Sequence, residues 1–117
     1  MKNNIIVEKS YNFALRVIKL SQYLVKNKKE FVLSKQILRS GTSIGANIEE
    51  AVGGQSRKDF LNKMSIAYKE ARETSYWLRL LKGSDILSEN HFLSIYRDLE
   101  EIIKMLTKIQ KTTKNQK

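Results

Sequence analysis

Three features of this 117-residue sequence predict an all-α fold, an antiparallel up-down-up-down four-helix bundle. There is no proline, so nothing forbids helix at any position. Apolar residues recur at helical spacing in four separate stretches. Short segments containing glycine and serine divide the stretches, and short connections favour antiparallel neighbours. At this length a single domain is expected over residues 1–110, followed by a basic, frayed tail at 111–117.

Helix one is expected over 6–27, with Val7, Tyr11, Ala14, Ile18, Ser21 and Val25 facing the core. At 100° per residue, Phe13, Val17, Leu20 and Leu24 form a second apolar stripe on its flank. A lone bundle does not need that second stripe, and a patch of this kind marks a contact surface, here another copy of the chain. Helix two is expected over 34–52 on Ile37, Gly41, Ile44, Ile48 and Ala51. Ser34 is its candidate cap, and Gly53-Gly54 is expected to end it in the left-handed conformation. Helix three, 57–82, carries Phe60, Met64, Ala67, Ala71, Thr74, Leu78 and Leu81, with Ile66, Trp77 and Leu80 beside them. Ser56 and Asp59 form a capping-box start, and Gly83 closes the helix. Helix four, 89–111, starts at Ser88 and presents Phe92, Ile95, Leu99, Ile102, Leu106 and Ile109.

The stretch RSGTSIGANIEEAVGGQSRKDF (39–60) holds four of the five glycines. A phosphate loop needs GxxxxGK(S/T), and a dinucleotide fold needs GxGxxG after a strand. Here the glycines stand as GTSIG and then GG, with no lysine following in the required place and no strand nearby, so this reading fails. Read as helix, the small residues sacrifice about 4 kcal/mol of propensity, which packing must offset. Gly41 and Gly45 are expected to let helix three approach at Ala67 and Ala71. Ser43 and Ala46 point the other way with Arg39, Asn47 and Glu50, where a solvated face would carry longer side chains. Helix two is therefore expected to pack on both sides, against the core and against a neighbouring subunit. Antiparallel pairing sets Arg39 level with Glu70 and within reach of Glu73. Two readings follow: an ion pair fixing the interface, or a phosphate contact by Arg39.

The formal charge of +10 sits at the ends: residues 1–29 carry +6, residues 104–117 carry +5, and the middle is close to neutral. On helix one, Lys9, Asn12, Arg16, Lys19, Tyr23 and Lys26 recur at spacings of three and four. On helix four, Arg97, Lys104, Lys108 and Lys111 lie on the outer face at spacings of seven, four and three, continued by Lys114 and Lys117 in the tail. First and last helices are neighbours in such a bundle, so these stripes are expected to merge into a basic face for RNA or DNA backbone. Tyr76 and Trp77 are aromatic side chains able to stack on bases, with Trp77 also placed for interface core.

Candidate chemistry is thin. A di-iron bundle needs two Glu-x-x-His pairs, and His91 is the only histidine, preceded three residues earlier by Ser88. One histidine at a helix start builds no nucleophilic triad. No cysteine is present. The expectation is a non-enzyme with no metal and no cofactor. With no leader-like apolar core and no run of roughly 18 apolar residues, a cytoplasmic, non-membrane location is expected.

The segments RSGTSIGANIEE, SRKDF and SIAYKEARETSYWLRLL resemble the four-helix bundle family first noticed as proteins encoded in intervening sequences of bacterial 23S ribosomal RNA genes. Arg39, Ser40, Ser43, Ile44, Asn47, Ile48 and Glu50 match its pattern, as do Asp59, Phe60, Ile66, Ala67, Glu70, Glu73 and Leu78; Ala51 stands where glycine is usual. The resemblance implies a ring-shaped homopentamer without established enzyme activity. A related branch is the accessory protein of diversity-generating retroelements, a basic pentamer that binds a reverse transcriptase and nucleic acid. Two functions follow as expectations: a homo-oligomer binding RNA or DNA, or an adaptor ring recruiting an acidic or nucleic-acid-processing partner protein.

Overall fold

Each apolar-periodic stretch forms one helix. The computed structural model describes residues 2–115, with α1 at Lys2–Lys28, α2 at Leu33–Val52, α3 at Arg57–Gly83 and α4 at Glu89–Lys114. Each helix packs on the next in sequence, and α4 closes the bundle on α1 along its thinnest seam. A 27-residue helix rises about 40 Å at 1.5 Å per residue. That length sets the long axis of the 50 × 20 × 20 Å molecule.

The expected stripes of α2, α3 and α4 are buried, apart from Phe60 and Ile109 at their ends, which are half-buried. The stripe of α1 is a correction. Phe13, Val17, Leu20 and Leu24, expected on the flank, are the core, joined by Ile6. Tyr11 is 59% exposed, Ile18 and Val25 are 38% exposed, and Val7 and Ala14 are half-buried; of the expected stripe only Ser21 is buried. Two adjacent apolar stripes share one period, so periodicity alone does not say which faces inward. Volume decides: the stripe with Phe and two Leu removes more apolar area from water. The exposed stripe is therefore Tyr11, Ile18 and Val25, with half-buried Ala14 beside them and next to α2.

The glycines of α2 are a second correction. They face α1, not Ala67 and Ala71 of α3. A Cβ at Gly41 would stand 2.8 Å from both methyls of Val17, and one at Gly45 would stand 3.4 Å from the Ser10 carbonyl oxygen and Oγ. Close approach to α3 comes instead through hydroxyls, with Thr74 donating to Ser40 Oγ at 2.9 Å. A helix flanked by two neighbours divides its small residues between them, which the stripe pattern does not reveal.

Helix ends follow the expected chemistry in part. Ser56 Oγ accepts from the Asp59 N–H at 3.1 Å and Ser88 Oγ from the His91 N–H at 3.2 Å. Ser34, however, lies inside α2; the Glu30 carboxylate caps that helix, accepting from the Ser34 N–H at 2.8 Å and the Val32 N–H at 3.3 Å. A carboxylate there also meets the positive end of the helix dipole. Gly53 ends α2 at φ −84°, and no described glycine has positive φ. The left-handed positions are Lys29 (φ 55°) and Asp85 (φ 63°). At Lys29 the next N–H, of Glu30, returns to the Leu24 carbonyl at 2.9 Å, satisfying the end of α1. Contrary to the expected fray at 111, α4 stays helical to Lys114; Gln116 and Lys117 of the expected tail lie outside the described residues.

Candidate nucleic-acid interface

Two of the four cations expected on the α1 stripe are engaged by α4. The row Ser94, Asp98 and Glu101 faces α1, one member every three or four residues. Arg16 donates to Asp98 Oδ2 at 2.7 Å, to the Ser94 carbonyl at 3.1 Å and to Ser94 Oγ at 2.8 Å. Lys9 pairs with Glu101 at 3.0 Å. Lys19 and Lys26 are exposed, with no ion-pair partner among the described residues. Tyr23 meets His91 edge-on, ring centroids 5.5 Å apart, in a cleft of about 300 Å³ that also contains Arg16 and Lys19.

On α4, Arg97, Lys104, Lys108 and Lys111 are exposed on the outer face and lack ion-pair partners among the described residues. At 100° per residue, Asp98 and Glu101 stand between this row and α1. The two basic stripes are thus neighbours separated by a line of acids. The acids are legible in the sequence, but they matter only once α1 and α4 are set in register.

A second group of cations lies outside the two expected stripes. Arg72 and Arg79, on the α4-facing side of α3, stand across a cleft from Lys104. The cleft has a volume of about 420 Å³ and is also lined by Ser75, Tyr96, Glu100 and Ile103. At its floor the Ser75 and Tyr96 hydroxyls lie 2.7 Å apart. Arg72 donates to the Tyr68 hydroxyl at 3.0 Å, and the Arg79 guanidinium lies 5.8 Å from the centroid of Tyr76. The seven-residue spacing of Arg72 and Arg79 is a readable signal in the sequence. It is masked by the near-neutral charge of the middle of the chain, since net charge singles out only the two ends.

The residues expected at an assembly face fall on the α2–α3 seam and the outer side of α2. Arg39 Nη2 reaches Glu73 Oε2 at 3.3 Å, and the same oxygen accepts the Trp77 indole N–H at 3.1 Å. Glu50 pairs with Lys63 at 2.6 Å. Both charges of the small-residue surface therefore find partners within the chain. Burial pushes the Glu70 carboxyl above its ordinary value; Glu73 adds to the rise and Arg39 opposes it. Its Oε1 is buried without a hydrogen-bond partner among the described residues. Ser43 Oγ donates to the Arg39 carbonyl at 2.6 Å, and Asn47 Nδ2 to the Ser43 carbonyl at 2.8 Å. Ala46 is exposed, beside a groove of about 210 Å³ that it shares with Tyr11, Ala14 and Gly45.

Among the described residues no three His, Cys, Asp or Glu side chains gather as a metal-binding group. No described helix is long and apolar enough to cross a membrane.

The family model described as 23S rRNA-intervening sequence protein matches residues 2–108. A crystal structure of a protein from Bacteroides thetaiotaomicron, described as of unknown function and from the S23 ribosomal protein family, superposes with a TM-score of 0.93. It is 54% identical, over 95% of this chain and 99% of that one. No curated protein matches the chain.

Proposed function

We propose, for a chain that belongs to the 23S rRNA-intervening sequence protein family, a non-catalytic role: a homo-oligomeric bundle that binds the phosphate backbone of RNA or DNA. The observation that carries this reading is the outer face of α4 in a chain of net charge +10. There Arg97, Lys104, Lys108 and Lys111 are exposed and have no ion-pair partner among the described residues. Cations already matched by carboxylates release few counterions on binding, while unmatched ones exchange their counterions for phosphate. Lys9 and Arg16 therefore contribute less than α4, and Lys19 and Lys26 extend the surface across the α1 side. Assembly into a ring, a pentamer by resemblance, repeats the surface and adds avidity.

A second reading, an adaptor that recruits another protein, is favoured by the exposed apolar side chains Tyr11, Ile18 and Val25 of α1. A gel shift across a salt series separates the two. Retention of RNA or DNA that weakens steeply with salt supports the first; no retention at low ionic strength leaves only the adaptor. Light scattering tests the assembly, and a monomer mass near 13.6 kDa would overturn it.

A further inference from the structure

We infer that the α3–α4 cleft is a binding track for single-stranded nucleic acid, with phosphates on Arg72, Arg79 and Lys104 and a base against Tyr76. The inference rests on the nucleic-acid reading above and assigns that reading a second surface with a strand preference.

Three observations carry it. First, the cations are uncommitted: among the described residues Arg72, Arg79 and Lys104 have no carboxylate partner, whereas Lys9 and Arg16 at the opposite seam do. Glu100 is the one acid lining the cleft, and it makes no ion pair with a described residue. Second, the arginines are positioned without losing charge. The Tyr68 hydroxyl holds Arg72 at 3.0 Å and the Tyr76 ring underlies Arg79 at 5.8 Å. A guanidinium ordered by a phenol keeps its full positive charge and has less side-chain entropy to lose on meeting phosphate. Seven residues apart, the two lie on one face of α3 and about 10 Å apart along its axis.

Third, a flat surface adjoins the charge. Tyr76 is 47% exposed and braced edge-on by Trp77, with centroids 5.2 Å apart. The Tyr76 ring and the Arg79 guanidinium plane both offer a face on which a base can stack. An unpaired strand presents base faces to such a surface; a duplex keeps its base faces stacked and offers phosphates and groove edges. The arrangement combines a basic groove along the backbone with an aromatic platform, as sequence-tolerant single-strand binding requires.

Fluorescence anisotropy tests this with labelled oligo(dT), oligo(U) and a DNA duplex of equal length, over a salt series. The full chain is expected to favour either single strand over the duplex. Arg72→Ala with Arg79→Ala should weaken single-strand binding by about tenfold or more. Removing two phosphate-binding cations should also flatten its salt slope by roughly 1.4. Tyr76→Ala should cost several-fold on single strands and leave the duplex unchanged, and Tyr76→Phe should behave as the parent. Circular dichroism confirms that each variant keeps its helices. If the parent binds but the double arginine variant binds single strands equally well, the cleft assignment falls and the α4 face stands. If the parent binds no nucleic acid, both readings fall. A double variant whose mass in light scattering changes while its binding does not makes the cleft a contact between copies, and overturns the inference.

Discussion

Gly41 of α2 lies directly under Val17 of α1, so close that a Cβ on Gly41 would stand 2.8 Å from both Val17 methyls. Val17 is fully buried and β-branched, so its side chain has little freedom to move aside. Gly41→Ala gains about 1 kcal/mol of helix propensity but overpacks this contact by roughly 2–3 kcal/mol. The expected result is a net loss of about 1–2 kcal/mol in chemical denaturation, recovered in part by Val17→Ala on the same chain. Gly45→Ala should go the other way, since its Cβ meets Ser10 atoms only at 3.4 Å. There the propensity gain of up to about 1 kcal/mol prevails. A Gly41→Ala chain as stable as the parent would mean that α1 and α2 are not locked at this point.

That contact also marks the limit of what the sequence reveals. The four helices, their connections and the caps at Ser56 and Ser88 are local features, and local patterns locate them. Which of two apolar stripes on α1 faces inward is a question of pairwise packing; Phe13 and Tyr11 share the same period, and only the docked neighbour separates them. Likewise Gly41 and Gly45 announce a close approach without naming α1 as the partner. The basic rows of α1 and α4 are legible, but their value is not, because the Arg16–Asp98 and Lys9–Glu101 pairs exist only across the closed seam. Arg72 and Arg79 are legible as a pair; their meaning as one wall of a cleft comes with Lys104 opposite.

Arg16 is expected to act more on stability than on binding. It spans the α1–α4 seam through three hydrogen bonds to Ser94 and Asp98, so Arg16→Ala should cost about 1 kcal/mol, at the upper end for a partly exposed pair. The same change should leave nucleic-acid affinity within about twofold, because its charge is already neutralised. Lys108→Ala with Lys111→Ala should do the reverse, holding the melting temperature while weakening binding several-fold. Equal losses of affinity from the two variants would show that the seam cations reach phosphate after all.

Glu70 should make stability depend on pH. Its carboxyl in the folded chain titrates above the ordinary 4.5, raised by burial and by Glu73 against the pull of Arg39. The folded chain therefore holds this proton more firmly than the unfolded one. That contribution is fully present below the unfolded value and is lost as pH rises through the folded one. Glu70→Gln carries no such titration and should be more stable than the parent at pH 7. Solvent screening keeps the gain small, to be read as a modestly higher Tm. Near pH 4 the difference should close. Parallel Tm curves for the two chains across this range would remove Glu70 as the source.

Ala46 provides the sharpest test of assembly. It is exposed on the outer side of α2, where Ser43 and Thr42 are also short, and it borders the groove occupied on one side by Tyr11 and Ala14. The charged residues at the two ends of this surface, Arg39 and Glu50, are satisfied within the chain by Glu73 and Lys63, so they need no partner from another copy. What remains between them is a shallow patch of small side chains beside Tyr11, with Glu49 as the one charge on its rim, which a second copy can meet closely. Ala46→Arg inserts a long cation into that patch while leaving every buried contact of the bundle intact. Circular dichroism should show unchanged helix content and a melting temperature close to that of an isolated subunit. Light scattering should show the mass falling from a multiple of the chain mass to near 13.6 kDa. Ala46→Ser, similar in volume and uncharged, should leave the assembly in place. If Ala46→Arg instead assembles like the parent, the copies meet elsewhere, and the small residues of α2 serve only its contacts with α1 and α3.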